Sequence, residues 1–226
     1  MIQVIISGYG KMGRMVEEVL SEKGIKCAGC SEDITATDPA LARESVCIDF
    51  TTPQAFRANY RFLAENFKAV VVGTTGWNDI KDEVISCFEA CGTPMVYASN
   101  FSIGVNVFFA LTEFVSKQLG NAGGYSPYIV EMHHCHKLDA PSGTAKSLGA
   151  IVEESLGGKV DIQSVRCGEI PGIHTVGFEG ANDRITLTHE AFSRKGFAEG
   201  AVAAALKTEG LTGVHEFKEL LFNQKD

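Results

Sequence analysis

Over roughly its first hundred residues the chain alternates short apolar runs with helical patterns. Ile2–Ser7 predicts a buried strand, and Met12–Ser21 a helix with Met12, Val16, Val19 and Leu20 on one face. Ile25–Cys30 and Val46–Phe50 predict two more strands, followed by a helix over Gln54–Asn66 and a nearly all-valine strand over Ala69–Gly73. A helix over Asp79–Cys91 and a strand over Met95–Ala98 complete this part. Strands that are apolar throughout and separated by helices fit a parallel sheet covered on both faces, so the expectation is a doubly wound α/β domain.

After Asn100 the pattern changes. Val105–Gln118 reads as a long helix, Tyr128–His133 as a strand and Ala145–Leu156 as a helix. Three strand patterns then follow in succession, Asp161–Cys167, His174–Phe178 and Arg184–Glu190, with glycines at 168, 172, 177 and 180. That predicts a second α+β domain with a mixed or antiparallel sheet. Helical patterns return at Phe197–Lys207 and His215–Phe222. The expected division is a dinucleotide-binding domain over 1–101, with 196–226 packing back on it, and a substrate-binding and oligomerisation domain over 102–195.

Between the first strand and the first helix lies Gly8-Tyr9-Gly10-Lys11-Met12-Gly13, a G-x-G-x-x-G. Its glycines allow a tight turn and let a pyrophosphate approach the backbone N–H groups of a helix start. In this context the motif predicts dinucleotide binding in a Rossmann-like domain rather than a bare turn. Gly73-Thr74-Thr75-Gly76 and Ala98-Ser99-Asn100-Phe101-Ser102 each follow a strand, at the ends where an open α/β sheet binds its ligand. Their backbone and hydroxyl groups suit a nicotinamide. At the end of the second strand, where ribose hydroxyls are read, stands Ser31, with Glu32 and Asp33 just beyond and no arginine for a 2′-phosphate. Lys11 or Arg14 could reach one. NADH is favoured slightly, with use of both NADH and NADPH expected.

The 226 residues are 45% hydrophobic and 21% charged, with a formal net charge of −8. An acidic balance argues against general nucleic-acid or anionic-membrane partners. No apolar run reaches the roughly 18 residues of a membrane helix, and the strand-like start predicts no secretory leader. Seven cysteines without such a leader suggest reduced thiols in a cytoplasm. Cys27 and Cys30 form a single C-x-x-C in a strand-like segment, read as structural thiols before a metal or redox site.

Against this acidic background, three of the six histidines fall within four residues beside a lysine, in Glu131-Met132-His133-His134-Cys135-His136-Lys137-Leu138-Asp139-Ala140-Pro141-Ser142-Gly143-Thr144-Ala145. A dianionic substrate needs such a local positive patch. The N–H groups around Gly143 and Thr144 open a helix and suit a carboxylate, Lys137 adds a full charge, and a histidine nearby is the natural proton donor. A metal cluster of His133, His134 and Cys135 is disfavoured, because adjacent strand residues point to opposite faces; no metal is expected.

That segment resembles the diagnostic stretch of the dihydrodipicolinate reductases. The glycine turn, Asp49-Phe50-Thr51-Thr52-Pro53, the G-T-T-G loop and A-S-N-F-S-I-G-V-N are similar to family landmarks in the same order, as are Arg166 to Val176, Leu187 to Arg194 and Phe197 to Ala201. The resemblance implies NAD(P)H-dependent reduction of a cyclic imine dicarboxylate in lysine and diaminopimelate biosynthesis. It makes His133 the proton donor and acceptor, Lys137 a second donor that orients substrate, and His134 a substrate contact. Gly143 and Thr144 would bind a carboxylate. Gly8 to Gly13, Gly73 to Thr75 and Ala98 to Phe101 would hold the cofactor, in a homotetramer whose lobes close over their ligands. Two features depart from the family pattern: the segment from Ser31 to Ser45 is shorter, lacking a strand and helix, and Ser31 stands at the usual acidic position. Two alternatives stay open: a two-lobed reductase of another small acid, and a cofactor-binding redox sensor using Cys27, Cys30 and Cys135.

Overall fold

A computed structural model describes residues 2–222. The described chain forms two compact units, one running to Ser102 and resuming at Lys195, the other spanning Ile103–Arg194. The part of the expected C-terminal segment from 223 to 226 lies outside the described residues.

The first unit is built from β1 (Gln3–Ser7), α1 (Lys11–Glu22), β2 (Lys26–Ser31), α2 (Pro39–Arg43), β3 (Val46–Asp49), α3 (Pro53–Asn66), β4 (Ala69–Val72), α4 (Lys81–Cys91) and β5 (Met95–Tyr97). Its six-stranded parallel sheet has the order β10-β5-β4-β3-β1-β2, where β10 is Val214–Glu216. Strand β1 pairs with β2 on one side and β3 on the other, so the order reverses there, and the crevice at their carboxyl ends is where such sheets bind ligands. Alternate strand residues feed two cores. Val4, Ile6, Val46, Ile48 and Val71 pack with α1 and with α7 (Lys195–Leu206), whereas Ile5, Cys47, Val70 and Val72 pack with α3 and α4. Covering on both faces explains why these strands read as continuous apolar runs.

One local reading is corrected. His215 and Glu216 belong to β10, an edge strand of three residues, and only Phe217–Phe222 is helix (α8). Three residues are too few to show a period of two, and the following helical pattern absorbs them. The segment 31–45 folds as a 3-10 turn at Ile34–Ala36, capped by Asp33, and then as α2, capped by Asp38. Ile34 and Ala42 anchor it in the core.

The second unit holds α5 (Ile103–Ala122), β6 (Ser126–His133), α6 (Gly143–Leu156), β7 (Asp161–Arg166), β8 (Ile173–Glu179) and β9 (Arg184–Glu190). The sheet order is β7-β6-β8-β9, with β6 and β7 parallel and the other pairs antiparallel. Phe108 and Leu119 of α5 and Ala145, Leu148 and Val152 of α6 bury Ile129, Val176 and Phe178 on one sheet face.

Candidate active site

On β6 the buried row Ile129, Glu131, His133 continues one face at the two-residue period, so the core face turns polar at the strand's carboxyl end. Across the ladder His174 pairs in register with Glu131, and Arg166 at the end of β7 pairs with His133. These registers bring together four ionisable side chains that sequence distance separates. Arg166 donates to Glu131 Oε1 at 2.6 Å and to the Asp139 carbonyl at 2.7 Å. The other carboxylate oxygen takes His133 Nδ1 in a short contact, and the Ser142 N–H donates to Oε1 at 3.3 Å.

The electrostatics follow. Burial alone would raise the Glu131 carboxyl, but hydrogen bonds, that from Arg166 first, outweigh it and hold it at about 2. The His133 imidazolium is pushed below the ordinary histidine range by burial, against the opposing pull of Glu131 and with help from Lys137 and Arg166. His174 is brought down to about 4, by burial first and by His133 second. With Glu131 fixing Nδ1, His133 presents Nε2 as its working nitrogen. That atom faces Gly172, where an added Cβ would stand 3.0 Å away.

Helix α6 begins beside this cluster. Ser142 caps it, its Oγ accepting from the Ala145 N–H at 3.2 Å and pairing with His174 Nε2 at 3.0 Å. Neither Gly143 nor Thr144 donates its N–H to an acceptor among the described residues, and Gly143 is exposed. Lys137 Nζ rests on Asp139 at 2.7 Å, and His134 Nδ1 is buried without a partner among the described residues. The unit therefore gathers His133, Glu131, Arg166 and His174 with the helix start, in a form suited to an anion that needs a proton. His133, Glu131 and His174 lie close enough to share a cation, but Arg166 already supplies the positive charge to Glu131, which disfavours one.

Glu131, Arg166, Ser142 and His174 were not assigned roles from sequence. Glu131 left a local signal, its spacing of two from His133 on a strand, and Ser142 left one as a serine at a helix start; Arg166 and His174 depend on ladder register.

In the first unit the three glycines of the turn have separate jobs. Gly8 adopts φ +86°, and a Cβ there would meet the Phe50 carbonyl oxygen at 2.5 Å. A Cβ on Gly13 would strike the Gly8 oxygen at 2.2 Å, whereas one on Gly10 would meet nothing within 4 Å. The middle glycine thus faces open space at the uncapped start of α1, as a pyrophosphate cradle requires. Lys11 is exposed, and Met12 packs against the core. The Ser31 carbonyl accepts from the Gly8 N–H at 2.9 Å, and its hydroxyl donates to the Asp33 carbonyl at 2.7 Å. Beside it, Ala28 to Ser31, Ala36 to Asp38 and Leu41 line a cleft of 220 Å³ that suits the adenosine end.

Beneath the turn Asp49 is fully buried and accepts from Ser7 Oγ at 2.7 Å, from Thr51 Oγ1 at 3.0 Å and from Thr74 Oγ1. The Thr74 hydroxyl is committed to this clamp, while Thr75 is exposed. Gly73 approaches the Phe50 ring closely, and its N–H donates to the Asp49 carbonyl at 2.8 Å. Ser99 is exposed, Asn100 Oδ1 accepts from the Ser102 N–H at 2.8 Å, and Phe101 is buried, its carbonyl packed so closely on Gly200 that a Cβ there would meet it at 1.7 Å. Ala98 is half-buried. Cys27 is half-buried and Cys30 exposed, so this pair is not the buried structural one expected: β2 is an edge strand.

Comparison with known proteins agrees with both halves. Residues 2–101 match the family described as dihydrodipicolinate reductase, N-terminus, and residues 104–221 match dihydrodipicolinate reductase, C-terminus. The 4-hydroxy-tetrahydrodipicolinate reductase of Christiangramia forsetii is 36% identical over 233 residues, covering 97% of this chain and 98% of that one. That of Akkermansia muciniphila is 37% identical over 248 residues, covering 98% of each. The dipicolinate-bound dihydrodipicolinate reductase from Paenisporosarcina sp. TG-14 shares the fold at a TM-score of 0.79, with 22% identity over 96% of this chain and 97% of that one. The chain belongs to the dihydrodipicolinate reductase family.

Proposed function

We propose that the protein reduces 4-hydroxy-tetrahydrodipicolinate to tetrahydrodipicolinate with a reduced nicotinamide nucleotide, in lysine and diaminopimelate biosynthesis. The observation that carries the reading is the buried Glu131–His133 pair beside an open helix start and Lys137. The glycine turn, the 73–75 loop and the 98–101 loop hold the nucleotide, and when bound it supplies a hydride to the substrate ring. The protein's own tasks are placement, charge neutralisation and one proton.

The Gly143 and Thr144 N–H groups take one substrate carboxylate, and Lys137 leaves Asp139 to meet the anion. His134 Nδ1 gains the partner it lacks. His133 is neutral in the free protein near pH 7, because burial depresses it. A dianion arriving beside it favours the imidazolium, so the proton enters with substrate and Nε2 then donates it to the ring carbon. Glu131 stays ionised throughout and accepts from Nδ1–H, so the proton that moves is the one on Nε2. His174 stays uncharged, which spares His133 a second cation, and it orients Ser142.

At the adenosine end Ser31 offers neither a carboxylate nor a cation, and exposed Glu32 follows it; NADH is preferred and NADPH also used. Four copies assemble through the second unit, whose outer sheet face exposes Val165. No helix among the described residues is long and apolar enough to cross a membrane, and the free thiols suit a cytoplasm.

The test is a coupled assay with aspartate semialdehyde, pyruvate and the upstream synthase, following oxidation of each nucleotide. Turnover that depends on the synthase supports the reading. Nucleotide binding without turnover under those conditions overturns it.

A further inference from the structure

Glu17, Cys27 and Cys30 converge on the flank of the first unit, and the proposed reaction uses none of their side chains. In a regular strand, residues three apart point to opposite faces. Here β2 contains a bulge: Val4 pairs with Cys27 and Ile5 with Gly29, so Ala28 has no partner on β1. The extra residue reverses the alternation and turns both thiols to one side. Cys27 Sγ and Cys30 Sγ stand 3.8 Å apart, and Cys30 Sγ lies 3.9 Å from Glu17 Oε1 on α1.

That spacing is telling. Two sulfurs bound at about 2.3 Å to a tetrahedral ion stand about 3.8 Å apart. The second carboxylate oxygen of Glu17 takes the Tyr9 hydroxyl, so the oxygen near the thiols is held in orientation by an outer partner. We infer that Glu17, Cys27 and Cys30 form a site for a thiophilic divalent cation of the zinc class, with water as fourth ligand. Cys30 is exposed, which gives the ion a path.

Occupation would clamp α1 to the end of β2, one residue before Ser31. A second cluster, Cys135, His136 and Glu169, is exposed throughout and sits on loops, with His136 Nε2 and Glu169 Oε1 3.6 Å apart. It lacks a comparable scaffold.

Cobalt(II) titration of the full chain, reduced and freed of metal, tests the site by its thiolate-to-cobalt absorption. One ion per chain is expected. Cys30→Ser should abolish the absorption, Glu17→Gln should weaken binding by more than about tenfold, because loss of even an outer partner costs about 10–100-fold, and Cys135→Ser should change neither. On the unaltered chain, zinc should protect Cys27 and Cys30 from alkylation, read by peptide mass. Absence of the absorption, its survival in Cys30→Ser, its loss in Cys135→Ser, or unprotected Cys27 and Cys30 would overturn the assignment.

Discussion

Each unit buries one carboxylate completely, Asp49 beneath the glycine turn and Glu131 beside His133, and the two are held in opposite ways. Asp49 is caged by the hydroxyls of Ser7, Thr51 and Thr74. Burial wins there and raises its pKa, against those hydrogen bonds. Glu131 has a guanidinium and an imidazole as partners, and its pKa falls to about 2 although it too is closed to solvent. Neutral donors make a buried acid a clamp that ties β1, β3 and β4 together where the nucleotide crevice opens. A cationic partner, Arg166, makes it a fixed charge that governs a neighbouring proton. The same residue class thus serves architecture in one unit and chemistry in the other.

The contrast breaks hardest at His133. His133→Ala should lower kcat by about 10²–10⁴-fold, the usual worth of a positioned acid, with little change in KM, by steady-state kinetics. Lys137→Ala should lose both binding and rate, with kcat/KM down by about 10²–10³-fold, as expected when one partner of a charge pair is truncated. Glu131→Gln keeps the shape and removes the charge; kcat/KM should fall by about 10–100-fold, the worth of a hydrogen bond to a charged group. The matching change in the other unit, Asp49→Asn, should leave kcat nearly intact and cost about 1–3 kcal/mol in urea denaturation, the range for a disrupted buried hydrogen-bonded group. Equal kinetic losses at the two sites would erase the distinction.

Acid denaturation sharpens it further. Glu131 has a lowered folded pKa, so its contribution is present above the unfolded value and is lost as pH falls from 4.5 towards 2, up to about 3 kcal/mol. Asp49 has a raised folded pKa, so the fold instead gains as pH falls through the range just above its ordinary value of 3.8. Stability curves of Glu131→Gln and Asp49→Asn should therefore depart from the parent with opposite slopes.

The same contrast explains what could be read from the sequence. The parallel sheet was legible because Val46, Cys47 and Ile48 and the strand Ala69–Val72 are buried on both faces and stay apolar throughout. The glycine turn was legible because its three constraints fall within six consecutive residues. His133, Lys137, Gly143 and Thr144 share one segment and could be found together. Asp49 lay inside a family-like stretch, yet its clamp joins residues 42 and 25 positions away, at Ser7 and Thr74. Glu131 meets Arg166 across 35 positions, and Ser142 meets His174 across 32. Such contacts are set by strand register, which the pattern of a single strand does not encode. The bulge at Ala28 is a case of the same kind: one extra residue inverted the side-chain alternation of β2 and gathered two thiols that the simple period sends apart.

The central claim is that Glu131-braced His133 delivers the proton during reduction of the cyclic imine. The pH profile of kcat/KM for synthase-dependent nucleotide oxidation tests it most directly, because that profile reports the free enzyme's essential acid. The account predicts a rate constant that declines as pH rises through a value below 6.5, the ordinary histidine pKa, and a His133→Ala variant in which both the rate and this decline are lost. A His133→Ala variant that turns over with the parent's rate and profile would contradict it.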